Sequence, residues 1–510
     1  MTSPGLPERL ANLTSWRSQW DGLRVAVLGL GVAAFSSADT LAELGADVLV
    51  VADAPHEERA RLLDVIGVRL HVADLTAVPD AVVDFDPEVV VVSSGRYHPD
   101  HPLLVWAESE SIAVWSDVEL AWRVRDKVEP AAEWICITGT NGKTTTVELT
   151  ATFLAASGVR AAPCGNIGIP VLDAVRDPQG FDVLVVELSS YQLHWLNRNA
   201  GGEVSPFSSV CLNLAEDHLD FHGSFQEYGA AKAKVYDNTT TACVYNRADI
   251  ATLRMVEGAD VVEGARAIGF GLDTPGPSDF GIVDGILCDR AFIEDRATSA
   301  LELTTLDELR PAGLAAPHVV ANILAAAALA RSYGVPAGAI HDALTTFRLD
   351  PHRIEKVAER AGVVWIDDSK ATNPHAADAS LRAFDRVVWV LGGQLKGVEI
   401  DDLVVRHASR LAGAVVIGRD QEPVLAAFRR HAPELPVLAV GPGETEDVMP
   451  EAVRMAARLA REGDTVLLAP AAASFDQFAD FADRGDRFAK AVRELPEDGS
   501  GQGRARTEQP

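Results

Sequence analysis

The stretch Trp134-Ile-Cys-Ile-Thr138, followed directly by Gly139-Thr140-Asn141-Gly142-Lys143-Thr144-Thr145, decides the fold of this chain. A short apolar run of buried-strand character enters a glycine-rich loop. A helical pattern then begins, with Val147, Ala151 and Leu154 at i, i+4 and i+7 and Gly158 where a C-terminal cap belongs. Strand, Gly-x-x-Gly-Lys-Thr and helix in that order make a phosphate loop. Glycines let backbone N–H groups approach phosphates, and the helix N-terminus adds the positive end of a dipole. Lys143 reaches the β- and γ-phosphates of a nucleoside triphosphate, and the Thr144 hydroxyl suits Mg²⁺. The longer Gly-x4-Gly-Lys form would need glycine at position 137, which is Ile137, so this is the shorter variant. A chance glycine-rich turn is the alternative, and the flanking strand and helix weigh against it.

Upstream, Arg24-Val-Ala-Val-Leu-Gly29 leads into a Gly-x-Gly turn (Gly29, Gly31) and an alanine-rich helix. Strand patterns follow at Asp47 to Asp53 and at Pro87 to Ser94, the latter ending at Gly95. Strands alternating with helices predict a parallel, Rossmann-like sheet. Downstream of the phosphate loop, strands are expected at Val183 to Glu187, Ser209 to Asn213 and Thr241 to Asn246. The pattern turns β-rich and irregular between Ala259 and Asp307, and a helix runs from Val319 to Ser332. A third alternation carries strands at Val363 to Asp367, Arg386 to Leu391, Gly413 to Gly418 and Asp464 to Ala469. The expected class is α/β with three domains: Rossmann-like over 1–116, P-loop ATPase-like over 117–347 and Rossmann-like again over 348–497. A tail, 498–510, lacks apolar periodicity and reads as disordered. The length of 510 residues agrees with about three domains at roughly 150 residues each.

Several polar groups stand at strand ends, where an open α/β sheet presents its ligand crevice. Glu187 closes an apolar strand and suits Mg²⁺, or is an exposed strand-end acid. His218 and His222 have the i, i+4 spacing of zinc helices but lack the glutamate of H-E-x-x-H. A capped polar turn, or a single imidazole serving Mg²⁺ or a phosphate, are the other readings. Lys232 reads from its surroundings as a solvated helix lysine. Asn246-Arg-Ala-Asp249 resembles a guanine-reading motif but lacks its lysine, and reads as a strand-end turn. Three loops of the third segment carry acid, hydroxyl and ammonium groups: Asp367 to Pro374, Leu391 to Gly397 and Ala469 to Asp476. Parallel strands end on one side, so these loops are expected to converge and to suit an amino-acid carboxylate.

Bulk properties narrow the class. The formal charge of −29 repels nucleic acid and anionic membranes, so neither is an expected partner. No run of about 18 apolar residues is present, and no membrane insertion is expected. The first residues, Met1 to Asp21, lack a signal-peptide core, and five scattered cysteines form no C-x-x-C pair. A cytoplasmic monomer is expected.

These motifs together resemble the Mur ligases over nearly the whole chain, the tail excepted. The Asp368-Ser-Lys-Ala-Thr-Asn373 loop discriminates best and is nearest to the branch that adds D-glutamate; a diaminopimelate-adding relative carries Asp-Asn-Pro-Arg there. The resemblance implies an ATP-dependent amide ligase of peptidoglycan precursor synthesis, acting on UDP-MurNAc-L-Ala and D-glutamate through an acyl phosphate. It implies two Mg²⁺ ions and a CO2-derived carbamate on Lys232, which reverses the solvated-lysine reading. It assigns ATP to Gly139, Thr140, Asn141, Gly142, Lys143, Thr144, Thr145, Asn322, Arg353 and Asp368. It assigns the UDP-linked substrate to Gly29, Gly31, Asp53, Ser94, Gly95, Asn166 and His218. D-glutamate falls to Lys370, Thr372, Lys396, Ser474 and Phe481. Metal falls to Thr144, Glu187, His218 and carbamylated Lys232, and catalysis to Lys143, Glu187, His218 and Lys232. Two positions depart from the family pattern: Val319 stands in place of the first asparagine of His-Asn-x-x-Asn, and Val32-Ala33-Ala34 replaces a hydroxyl and a glycine. A regulatory GTPase, a non-catalytic muramyl-peptide sensor and a Rossmann oxidoreductase are the competing classes. Guanine readout, loss of turnover and nicotinamide chemistry would mark each in turn.

Overall fold

The computed structural model describes residues 6–93, 97–441 and 443–496. The expected assignments at Ser94 and Gly95, and the tail 498–510, lie outside the described residues. Among the described residues three sheets form. The first contains β1 (Arg24–Leu28), β2 (Asp47–Ala52), β3 (Arg69–Val72), β4 (Val89–Val92) and β5 (Ala113–Ser116). Its order is β3-β2-β1-β4-β5, parallel throughout. The unbroken valine run of β4 is buried on both faces, as a parallel sheet covered by helices requires.

The second sheet contains β6 (Glu133–Thr138), β7 (Ala161–Gly165), β8 (Val183–Glu187), β9 (Ser208–Cys211), β10 (Ala242–Asn246), β11 (Arg266–Phe270), β12 (Asp279–Val283), β13 (Ile286–Asp289) and β14 (Leu301–Thr305). The order is β14-β13-β12-β11-β10-β9-β6-β8-β7. The strands from β7 to β12 are parallel, and β12 to β14 form an antiparallel edge, which is the irregular β-rich stretch expected from the sequence. Helix Pro317–Ser332 packs against helix Lys143–Ala156. Its run Ala325 to Ala330 is fully buried, so small side chains let the two helices approach closely. Val147, Ala151 and Leu154 face inward, and Gly158 takes a left-handed φ of 86° just past the helix end, as a C-terminal cap does.

The third sheet contains β15 (Glu355–Arg360), β16 (Val363–Asp367), β17 (Val387–Leu391), β18 (Leu411–Val416), β19 (Val437–Ala439) and β20 (Thr465–Leu468), in the order β15-β16-β20-β17-β18-β19. All pairs are parallel except the β15–β16 hairpin, an edge the sequence pattern did not announce because β15 is only half-buried. The chain divides into two compact units. One comprises Met1–Leu214 with Phe221–Arg348 and carries the first two sheets; the other comprises Ala215–Asp220 with Leu349–Pro510 and carries the third. Among the described residues no single helix is long and apolar enough to cross a membrane.

Candidate active site

In the first unit the phosphate loop leaves β6 with φ of 150° at Gly139 and 83° at Gly142, values that favour glycine. Space demands glycine as well. A Cβ on Gly139 would stand 2.9 Å from Leu212 Cβ, and one on Gly142 would stand 2.4 Å from Asn322 Oδ1. Asn322, on helix Pro317–Ser332, is therefore packed onto the loop. Asn213 clamps the loop from the end of β9. Its carbonyl accepts from Thr140 N at 2.9 Å, its Oδ1 accepts from Asn141 N at 2.9 Å, and its Nδ2 donates to Asn141 O at 3.1 Å. The Thr140 hydroxyl meets the Tyr228 hydroxyl at 3.0 Å. Lys143 Nζ donates to the carbonyls of Gly139 and Thr140, 2.9 Å each, so the ammonium lies on the loop itself. Helix Lys143–Ala156 begins with no side-chain cap, which leaves its first N–H groups to the loop.

Glu187 ends β8, beside β6 in the sheet, and is only 2% exposed, which removes the exposed-acid reading. Asn166 holds it twice: the Asn166 N–H donates to the Glu187 carbonyl at 3.0 Å, and Nδ2 donates to Oε1 at 2.8 Å. Glu187 Oε2 is buried with no hydrogen-bond partner among the described residues. A buried carboxylate oxygen left without a donor is costly, and a bound cation removes that cost. The site thus fits Mg²⁺.

Lys232 is also 2% exposed, so the solvated-lysine reading fails. Helix Phe225–Ala233 turns Tyr228 and Lys232, one helical turn apart, onto the phosphate loop. The Lys232 ammonium donates to the Gly139 carbonyl at 2.9 Å and lies 3.4 Å from the Thr138 hydroxyl. An amine held there beside the triphosphate loop fits the carbamate role.

The zinc-helix reading of His218 and His222 fails. His218 has a left-handed φ of 53° ahead of the short helix Leu219–His222, so the two imidazoles do not share a helix face. His222 instead packs among the rings of Tyr191, His194, Phe221 and Tyr228. His218 belongs to the segment Ala215–Asp220, grouped with the second unit, and its Nε2 lies 3.5 Å from Asp217 Oδ2. Asn246 and Asp249 form the expected strand-end turn. Asp249 caps the next helix at Ala251 N, 3.0 Å, and accepts from Leu214 N at 2.7 Å.

On the first sheet, Gly29 ends β1 with φ of 102°, and a Cβ there would meet the Tyr97 ring at 3.0 Å. Gly31 is the N-cap of helix Val32–Glu43, and Asp53 is exposed just past β2.

In the second unit the three expected loops do converge. Ala471 N donates to Ala371 O at 3.0 Å, Gly392 N donates to Pro470 O at 2.9 Å, and Gln394 and Ala473 exchange backbone bonds. Arg484, buried on helix Phe481–Arg493, ties two of them together. It donates to Ser369 Oγ at 2.9 Å, Ser369 O at 2.8 Å and Ala472 O at 3.1 Å. Lys370 lies 3.7 Å over the Phe481 ring, Ser474 is buried, and Thr372 and Lys396 are half-buried. Burial pushes the Asp368 carboxyl up to about 6, against the Ser380 hydroxyl, the Arg353 guanidinium and the Ile354 N–H, which hold it down. His352 pairs with the neighbouring Asp367 at 2.7 Å, and that bond raises the imidazole above its usual range. Asn213, Tyr228 and Arg484 are site-building residues that the sequence reading left unassigned. Asn213 had a usable signal, a polar side chain immediately after a buried strand.

Residues 137–330 match the Mur ligase middle domain, and residues 352–472 match the Mur ligase glutamate ligase domain. A UDP-N-acetylmuramoylalanine--D-glutamate ligase of Leifsonia xyli subsp. xyli is 69% identical over 494 residues, 96% of this chain and 95% of that protein. The chain belongs to the Mur ligase family. Within the Mur ligases it groups with the D-glutamate-adding enzymes. A second relative of that name, from Streptomyces avermitilis, is 50% identical over 482 residues, 94% of this chain and 99% of its own. Among solved structures, the MurF ligase of Thermotoga maritima in complex with ADP has a TM-score of 0.53 at 18% identity, covering 88% of this chain and 95% of that one. That likeness concerns the fold: the α/β sheets above are the Mur ligase architecture.

Proposed function

We propose that the chain is an ATP-dependent ligase that joins D-glutamate to UDP-N-acetylmuramoyl-L-alanine in cytoplasmic peptidoglycan precursor synthesis. The observation that carries this is the convergence on β6 and β8 of a triphosphate loop, a buried acid with one unpartnered oxygen and a buried lysine, in a chain 69% identical to a named D-glutamate ligase. Segment 1–116 takes the UDP moiety, 117–347 takes ATP, and 348–497 takes the amino acid. The enzyme works as a monomer.

In the reaction, a carboxylate oxygen of the alanyl group attacks the γ-phosphorus of ATP, and ADP leaves. The acyl phosphate then receives the neutral amine of D-glutamate at its carbonyl carbon. The tetrahedral adduct expels phosphate, and the amide remains after the nitrogen loses a proton. No nucleophilic side chain is required. Lys143 leaves its two loop carbonyls to meet the phosphates, and the uncapped helix N-terminus behind it faces the same charge. The metal roles fall to Thr144, Glu187, His218 and Lys232 as its carbamate; Mg²⁺ there would offset charge on the transferring phosphoryl group. Asn166 orients Glu187, while Asn322, Arg353 and Asp368 serve ATP. Lys370, Thr372, Lys396, Ser474 and Phe481 form the pocket for D-glutamate, with Arg484 holding together the loops that carry Lys370 and Thr372 and that carry Ser474.

The test is to trap the intermediate. With Mg-ATP and UDP-MurNAc-L-Ala but no D-glutamate, hydroxylamine should yield the alanyl hydroxamate. With D-glutamate present, mass spectrometry should find the glutamyl product instead. Absence of hydroxamate while amide still forms would contradict the acyl-phosphate route.

A further inference from the structure

The geometry points to Arg59 as the cation that holds the diphosphate of the UDP-linked substrate. This rests on the reading of the first sheet as the UDP site and deepens it. In the order β3-β2-β1-β4-β5, β1 stands at the point where the winding reverses, and ligands of such sheets bind beyond the strand ends there. The turn in that position is Gly29-Leu30-Gly31. Tyr97 closes the Gly29 side, whereas a Cβ added at Gly31 would meet nothing within 4 Å among the described residues.

The helix that follows offers little to an anion beyond its backbone. It has no side-chain cap, and its first residue, Val32, is 56% exposed with no hydroxyl to give. A diphosphate entering a chain of net charge −29 needs a cation, and helix Glu57–Val65 sends one. Arg59 Nη1 donates to the Leu30 carbonyl at 2.9 Å, across 29 residues of sequence. Two residues on, Arg61 pairs with Glu57 of its own helix; Arg59 instead reaches back to the turn, and no carboxylate pairs with it among the described residues. A guanidinium has five N–H donors. One is spent on Leu30, and the fork that remains suits two phosphate oxygens.

The experiment is calorimetric titration of the full chain with UDP, with uridine and with Mg-ATP, for wild type, Arg59→Ala and Arg59→Lys, with thermal midpoints recorded. Loss of a charge-assisted contact predicts UDP binding about ten- to a hundredfold weaker in Arg59→Ala. Uridine, which lacks the diphosphate, and Mg-ATP should bind as before. Arg59→Lys should recover part of the UDP affinity, and it carries the test if the alanine variant does not fold. Equal losses for UDP and uridine, or unchanged UDP binding in both variants, would overturn the role of Arg59 alone. A wild-type chain that binds Mg-ATP but not UDP would overturn the reading of the first sheet, and Arg59 with it.

Discussion

Lys232 and Glu187 show how much burial decides at the scale of one side chain. Both are polar groups that an exposed position would leave inert, and both are only 2% exposed beside the phosphate loop. Lys232→Ala should abolish ligation while ATP still binds. Added acetate or formate should restore part of the rate by supplying the carboxylate a carbamate would provide, measured as product formed against carboxylate concentration. No response to either the mutation or the additive would return Lys232 to a structural role. Glu187→Gln should separate stability from activity. The neutral amide relieves a buried, half-partnered charge, so the metal-free protein should melt no lower than wild type. Turnover should fall about a hundredfold or more, the loss typical of removing one group that stabilises developing charge. A lower melting point together with full activity would contradict this.

Elements were legible where they bury a simple period and illegible where tertiary packing decides. The continuous valine run of β4 could be read directly as a strand buried on both faces, and Val147, Ala151 and Leu154 as a row at helical spacing ahead of the Gly158 cap. The loops of the third sheet were expected to meet because parallel strands end together, and they do. Lys232 was misread from its surroundings because helix Phe225–Ala233 shows no strong apolar stripe. Only its packing reveals that Tyr228 and Lys232 form the buried side. His218 failed as a helix ligand because a left-handed residue stands where the spacing rule assumes a helix. The half-buried β15 gave no alternation to read.

The loop after β16 carries its own pH signature. Asp368 holds its proton up to about pH 6 in the folded chain, above the usual 3.8 of the unfolded one. Between those values the folded state binds more protons, so this group makes stability fall as pH rises through the window. Asp368→Asn should flatten that fall, seen as a smaller drop in denaturant midpoint between pH 4 and pH 6 than in wild type, at about equal slopes of unfolding. An unchanged drop would mean that Asp368 ionises normally.

At the scale of the molecule, the residues assigned to ATP and those assigned to D-glutamate divide largely between the two compact units. Arg353 and Asp368 are the exceptions, ATP residues carried by the amino-acid unit. The acyl phosphate forms from ATP and the UDP-linked substrate, but sustained turnover with phosphate release should require the amino acid as well, since neither unit alone carries the full set of assigned groups. The most direct measurement is phosphate release from Mg-ATP by the purified full chain with UDP-MurNAc-L-Ala, adding D-glutamate, L-glutamate, L-lysine or meso-diaminopimelate in turn. Sustained release with D-glutamate alone, matched one to one by new amide, is the expected result. Release that ignores the amino acid, or that answers to a different one, would contradict the account.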